Sequence, residues 1–332
     1  MRKQLLSFCF VLSGLLAFAQ DNPMPSLYYL KDNLLNPGFT GLGGGVNLKV
    51  GYKQQLLGFE EGPNIKFAGL EVFSPKNKIG YGFNVAQDEN GPLKRSFVQG
   101  IFAYRVNYDT EESEQNSTHY LSVGITAGVH QHILEYSEFT PLESDPILQA
   151  LLESTISFNS DFGLVYYNKG FRAGIAFHDI VPNKIEPLSG KRDKLVFPSG
   201  YINLGYEFNP AEGNLVIYPH AVFGAQLNDF LLADVNVASR YFLGESKFIG
   251  IRAGYRTMSN YNNIPSNHLM FQAELGFSPL ALGYQYTMPL GGNQMYSMGE
   301  QALYMSLQFN SNSSAKNPAK EKSIKKPKNW FN

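Results

Sequence analysis

Few residues in this 332-residue chain combine types and spacing suited to chemistry. His130 and His132 stand two apart. On a strand such a pair projects from one face, as two ligands of a zinc site do. No third ligand is evident beside them, so they read as polar filling of an enclosed space. Asp234, Arg240, Arg252, Arg256 and Glu274 share one parity on neighbouring segments. Such a set is a charged constriction, a binding site for a partner's plug, or a salt-bridge cluster filling the interior; the cluster is the simplest reading. Glu135, Glu138, Glu143, Asp145 and Glu153 make the 134–157 connection acidic, with a short helical stretch from Pro146 to Leu152. Their spacing does not fit an EF-hand calcium loop. A long loop on a rigid scaffold is a candidate partner surface, and otherwise a solvated one. No G-x-S-x-G elbow occurs, and Ser122 and His130 are too far apart on one strand to hydrogen bond. Gly41 to Gly45 enters a strand rather than a helix, so it is not a phosphate loop. No catalytic, cofactor or metal residue is assigned, and the chain reads as non-enzymatic.

The segments that carry these residues alternate with period two. Leu121, Val123, Ile125, Ala127, Val129 and Ile133 share one parity, against Ser122, Gly124, Thr126, Gly128, His130 and His132 on the other. Leu231, Ala233, Val235, Val237 and Tyr241 oppose Asp234, Asn236 and Arg240. Ile249, Ile251, Ala253 and Tyr255 oppose Gly250, Arg252, Gly254 and Arg256. Strand side chains alternate between faces, so each run is a strand apolar on one side only. About fourteen such runs fall near 45–56, 64–74, 78–87, 93–108, 118–133, 158–168, 170–179, 197–208, 214–227, 230–243, 246–258, 267–277, 279–289 and 300–309. Tight turns mostly alternate with longer connections. The exceptions are a long 109–117 where a turn is expected and a short Asn228-Asp229 where a loop is expected.

A sandwich or propeller also alternates. No repeat of fixed period is visible, which weakens the propeller. The polar parity is rich in Gly, Ser, Asn, Gln and Arg, and Tyr and Phe recur near strand ends, as interfacial girdles do. The fold class expected is all-β, a transmembrane antiparallel β-barrel of about 14 strands of outer-membrane type. Val123, Ile125, Ala127, Val235, Val237, Ile249 and Ile251 then face lipid.

Composition agrees. Hydrophobic residues make up 43% and charged residues 17%, below the roughly 25% charge of soluble domains. With 27 Lys and Arg against 28 Asp and Glu, net charge is −1, which gives no bulk attraction to nucleic acid. Mean hydropathy is −0.21, too low for a helical membrane protein. Arg2 and Lys3 precede an apolar run from Leu5 to Phe18 ending in Ala17-Phe18-Ala19, which reads as a secretory signal peptide cut before Gln20. The sole cysteine, Cys9, lies inside it, so the mature chain has no disulfide and no thiolate site. The expected organisation is a signal peptide over 1–19, a periplasmic N-terminal segment over 20–44, a barrel over 45–309 and a basic tail over 310–332. Lys316 to Lys328 give the tail the composition of a chain disordered when free. An even strand count puts both termini in the periplasm.

Asn36-Pro37-Gly38-Phe39-Thr40-Gly41, after Tyr28-Tyr29-Leu30, resembles the N-terminal "NPAYAG" motif of the PorP/SprF family, outer-membrane proteins of type IX secretion and gliding motility. Tyr52-Lys53-Gln54-Gln55 with Gly58-Phe59-Glu60 and Gly62-Pro63 is similar to that family's "RKQW-GF-GAP" stretch, and Gly80-Tyr81-Gly82 through Gly91-Pro92-Leu93 to its "GLGL…GPL" stretch. Leu121 through Gly128, Asp145 to Leu148, and Asp161 to Tyr167 follow in family order. Here Leu56 replaces the usual tryptophan, Gly38 replaces the alanine, and the basic tail is an addition. The resemblance marks Asn36, Pro37, Gly41, Gln54, Gly58, Phe59, Gly91 and Pro92 as family-motif positions. It implies no catalysis and no cofactor. It implies an integral component supporting export or surface attachment of a large cargo such as an adhesin. The partners implied are cargo, other secretion components and outer-membrane lipid, with a periplasmic peptidoglycan-linked protein as a further candidate. A transport barrel for a hydrophobic or small polar solute is the alternative.

Overall fold

The computed structural model describes residues 27–29, 31–59, 62–108, 119–135, 152–181, 183–185, 194–196, 198–210, 214–226, 230–244, 246–260, 265–291 and 298–309. The signal peptide, the tail, and Glu138, Glu143 and Asp145 lie outside these residues.

Fourteen strands close into one antiparallel barrel. They are β1 (Val46–Gln54), β2 (Asn64–Ser74), β3 (Ile79–Asn90), β4 (Leu93–Asn107), β5 (His119–Glu135), β6 (Leu152–Asn168), β7 (Phe171–His178), β10 (Ser199–Tyr206), β11 (Leu215–Gln226), β12 (Phe230–Phe242), β13 (Lys247–Asn260), β14 (Pro265–Phe277), β15 (Leu280–Leu290) and β16 (Glu300–Phe309). Between β7 and β10, a separate hairpin of β8 (Asn183–Ile185) and β9 (Lys194–Val196) forms its own two-stranded sheet. Each barrel strand pairs with its sequence neighbour, and β1 closes on β16 from Val46↔Phe309 to Gln54↔Gln301. Closure leaves no edge, so no row of unpaired amides meets hydrocarbon.

The parity expected from sequence is the parity found. Val235, Val237, Ile249 and Ile251 are exposed, Ile251 at 63%, while Asp234, Asn236 and Arg256 between them are buried. A protein with apolar side chains outside and polar ones inside is the inverse of a soluble globule and suits lipid. Differences fall at element ends. Strand β6 begins at Leu152, not near 158, so Glu153 lies in a strand and Glu135 ends β5. Small polar residues on both faces, Ser154, Thr155 and Ser157, blur the alternation there. The β8–β9 hairpin falls where the sequence reads as loop; strands of three residues are too short to display a period.

The N-terminal segment departs most from expectation. From the sequence it is expected to lie in the periplasm; its described residues, 27–29 and 31–44, lie inside the barrel instead. Leu27, Tyr28, Lys31, Asn36, Thr40 and Leu42 are all buried, and their neighbours are the inward faces of the strands. The chain packs into the lumen and returns to the turn side of the barrel, where Gly44 and Gly45, both at positive φ, lead it into β1.

The parity makes a direct prediction. Val235→Arg places a charge in hydrocarbon and should cost about 2–4 kcal/mol if near the midplane. Val235→Phe keeps the face apolar and should assemble normally. Heat-modifiable mobility of both variants is the measurement; equal damage from both would reject the assignment.

Candidate functional site: the plugged lumen

The plug starts from a local signature. Asn36 sits in extended conformation, and its side chain accepts from Gly38 N at 2.9 Å, capping a 3₁₀ turn that opens with Pro37. Asparagine satisfies an orphan amide here, and proline presets φ. A similar turn over Asp32–Leu34 precedes it. Together they fold residues 31–42 into a compact knot whose apolar side chains point outward to the wall.

The wall is shaped to receive it. Gly80, Ala103, Gly124, Gly163 and Ala176 are successive register partners on β3 to β7, a row of small residues across five strands facing the lumen. The Asn36–Thr40 segment lies on this row. A Cβ at Gly80 would stand 2.2 Å from Thr40 O, one at Gly124 2.3 Å from the Pro37 carbonyl carbon, and one at Gly163 2.0 Å from Asn36 Oδ1. No real carbon approaches so closely, so glycine is required at all three.

Polar groups fix the register of plug on wall. Asn36 Nδ2 donates to Leu164 O at 3.0 Å and Ile175 O at 3.1 Å, reaching two adjacent strands. His178 Nε2 donates to Leu35 O at 2.8 Å. Glu71 accepts from Gly41 N at 3.0 Å and pairs with Lys31 at 3.4 Å. Arg105 lies between the Phe73 and Tyr120 rings, 4.2 and 4.7 Å from their centroids, and its Nη2 donates to Gly41 O at 3.3 Å. Its guanidinium serves as a flat spacer and a donor at once. Apolar contacts finish the fit. Leu27 and Leu34 pack with Ile65, Phe67 and Phe97, and Phe39 and Leu42 with Tyr120 and Val165.

Of the five charged residues singled out by parity, four form two ion pairs facing this lumen, and Arg252 faces it on β13 beside them. Asp234 and Arg256 are direct register partners, and Arg256 Nε donates to Asp234 Oδ2 at 2.8 Å. Arg240 on β12 reaches over Gly250 on β13 to Glu274 on β14, through Nε at 3.0 Å and Nη2 at 2.6 Å. The Asp234–Arg256 pair also grips the plug. Tyr29 donates its hydroxyl to Asp234. Tyr28 and Tyr29 stack at 4.3 Å. The Arg256 guanidinium stands 5.4 and 5.0 Å from the Tyr28 and Tyr29 centroids, and Arg252 5.4 Å from Tyr29. Sequence reasoning found the charges but not what they hold; a plug was weighed as a partner's, and it is the chain's own.

The remaining candidates lie apart. His130 and His132 have ring centroids 6.4 Å apart, and among the described residues no group of three His, Cys, Asp or Glu side chains could hold a metal ion. The motif residues divide by place. Asn36, Pro37 and Gly41 belong to the plug. Gln54 ends β1 and accepts from Gln301 Nε2 at 3.2 Å. Gly58, at φ 101°, and Phe59, half exposed, lie in the β1–β2 loop. Gly91, at φ 53°, and Pro92 form the two-residue turn joining β3 to β4. Sequence reasoning missed Tyr28, Tyr29, Lys31, Glu71, Arg105 and the glycine row. The one local signal was the Asn-Pro-Gly turn chemistry; inward glycines were visible, but not what they faced.

A closed antiparallel barrel, apolar toward lipid and polar within, is an integral protein of the Gram-negative outer membrane. The model of the type IX secretion system membrane protein PorP/SprF matches residues 17–307, and the chain belongs to that family. In fold it is similar to the CymD monoaromatic hydrocarbon channel, with a TM-score of 0.55 and 11% identity, covering 85% of this chain and 93% of that one. It is also similar to the Ralstonia pickettii toluene transporter TbuX, with a TM-score of 0.49 and 8% identity, covering 85% and 93%. At such identities the likeness is one of fold. The search of curated proteins gives no match.

The glycine row predicts how the plug can be displaced. Gly124→Val and Gly163→Val should expel the Asn36–Thr40 segment while leaving the barrel closed, because both side chains point inward. Gly100 faces outward, where a Cβ would meet only Ala127 O at 3.8 Å, so Gly100→Val should be silent. Asn36→Ala removes the cap and the bonds to β6 and β7, loosening the plug by about 1–3 kcal/mol. Limited proteolysis of residues 27–45 in folded barrels reads all four; protection of the Gly124 and Gly163 variants equal to wild type would refute the seat.

Proposed function

We propose that this protein is a non-enzymatic outer-membrane component of type IX protein secretion that supports export or surface attachment of a specific large cargo, such as an adhesin. It acts as a membrane-fixed docking barrel rather than as the conduit. The observation that carries this reading is the plug: residues 31–42 are packed against the inward wall, in the path that a polypeptide in transit would have to take. Its partners are then the cargo and other secretion components, met at the loops and on the periplasmic face. The acidic connection that begins at Glu135 and includes Glu138, Glu143 and Asp145 is the candidate cargo surface, and the lysines of the 310–332 tail the candidate contact for a periplasmic, peptidoglycan-linked protein. In this reading Asp234, Arg252 and Arg256 hold the plug, Arg240 and Glu274 tie the wall beside it, and the five do not line a pore.

The rival is a transport barrel for a hydrophobic or small polar solute, favoured by the likeness in fold to a hydrocarbon channel. Planar-bilayer conductance separates the two. The docking reading expects no steady pore from wild-type protein and channel events from Gly124→Val; steady, solute-selective conductance in wild type would favour the rival.

The tail gives an independent test. Strand β16 ends at Phe309, level with the start of β1 on the turn side, and short turns in such barrels lie in the periplasm. Deleting 312–332 removes no strand and should leave insertion intact. Co-purification of a periplasmic partner should fall, and the wild-type contact should weaken as salt rises and shortens the Debye length. An unchanged partner profile would leave the tail without this role.

A further inference from the structure

Outside the lumen the wall carries a hollow that nothing in the secretion role uses. Phe177, Gly200, Ala225 and Leu231 are register partners across β7, β10, β11 and β12, all on the lipid-facing parity. Phe177 and Leu231 are exposed at the two ends, and between them Gly200 and Ala225 leave a depression. Ile202 and Phe223, one position lower on β10 and β11, form its other wall. The hollow measures about 540 Å³, and its lining is almost wholly apolar. That is room on the order of a dozen or more methylenes, each about as large as a water.

Two facts argue that the space is for an occupant. Gly200 is not at positive φ, and a Cβ there would meet only Phe177, at an ordinary 3.7 Å. Neither backbone nor wall packing requires glycine at that position, in contrast with Gly80, Gly124 and Gly163. What its missing side chain does is leave space on the outside. The hollow is also continuous with the bilayer-facing surface, so the medium that meets it is hydrocarbon. Thr257 and Ser259 are the only hydroxyl side chains that line it besides Tyr201, so it offers water few partners, and an empty void forfeits contacts on all its walls. Lipid tails are as apolar as the lining, so the hollow gains no hydrophobic advantage over bulk lipid. What it offers is close contact with a single chain between two aromatic rings.

We propose that this hollow is a binding site for one straight acyl chain of an outer-leaflet lipid. The assignment of leaflet follows from place. Gly200 is the second residue of β10, Ala225 the penultimate of β11 and Leu231 the second of β12, all at the end of the barrel opposite both β1's start and β16's end. The site depends on membrane placement alone and stands whether or not the secretion reading does.

The test uses full-length protein, delipidated in detergent and titrated with a phospholipid carrying two saturated 16-carbon chains, with bound lipids counted by native mass spectrometry. Gly200→Leu fills the hollow with its first carbon at ordinary contact distance from Phe177; Ala225→Leu fills it from the next strand, and Gly100→Leu adds the same bulk to a lipid-facing position on β4. Wild type and Gly100→Leu should retain one lipid that survives at tenfold lower lipid concentration than the rest, and both filling variants should lose it while keeping heat-modifiable mobility. The same tight lipid in all four proteins, loss in the Gly100 variant as well, or no tight lipid in wild type would each overturn the proposal.

Discussion

Backbone amides in hydrocarbon have no solvent partner, so a sheet that crosses the bilayer has to close. That constraint fixes more than the wall. Closing fourteen strands encloses a lumen wider than inward side chains can fill, whereas about eight strands would leave one just filled. The interior must then hold either water or more protein, and in this chain it holds the segment immediately before the closing strand. Because Gly44 and Gly45 bend the chain straight from plug into β1, and β1 pairs with β16, closure and plugging involve one continuous stretch of sequence. A barrel that has joined its ends has its plug already tethered at the mouth.

The plug meets two kinds of wall. On β3 to β7 the contact is steric, and specificity comes from missing side chains: three glycines leave a slot that admits backbone and little else. On β12 and β13 the contact is electrostatic, and specificity comes from saturated charges. Asp234 accepts from Tyr29, from Arg256 at 2.8 Å and from Asn236 at 3.3 Å. A buried carboxylate is tolerable only when its oxygens are so occupied, and removing one partner costs more than the pair contributes. The tyrosines are therefore part of the charge balance of the wall, and the wall is incomplete without its plug.

This division explains what could be read from the sequence. The barrel, the parity of its faces and the approximate bounds of most strands were legible because each strand's pattern is local: Val235 and Asn236 differ in type and sit on opposite faces whatever else the chain does. The ladder from β12 to β15 follows from that pattern and from turn lengths. The plug was not legible, because residues 27–45 have no period and their partners are remote. Asn36 contacts residues 164, 175 and 203, and Tyr29 contacts 234. The inward glycines were visible as small residues on a polar face, yet a glycine facing water and a glycine facing backbone look the same in one sequence. Charged parity placed Arg240 and Glu274 on one face, but their pairing across an intervening strand depends on Gly250 being too small to block it, since a Cβ there would lie 3.3 Å from both side chains.

The same steric logic accounts for a departure from the family pattern. Where the motif usually carries alanine after Asn-Pro, this chain has Gly38. A Cβ at Gly38 would stand 3.0 Å from Asn36 Oδ1, 3.0 Å from Val165 Cγ2 and 3.2 Å from Ser122 O. Of these neighbours, only the valine belongs to a side chain with no bond to keep: Asn36 Oδ1 is held by the cap it makes to Gly38 N, and Ser122 O is strand backbone. Val165 is fully buried against Phe39, Leu42 and Tyr120, so it cannot rotate away without opening a void beneath the plug. A side chain at position 38 would therefore have to displace Val165 from its packed place on β6 or break the cap that Asn36 makes. Position 38 is clamped by both of its faces, so it answers to β6 as well as to its neighbours in sequence.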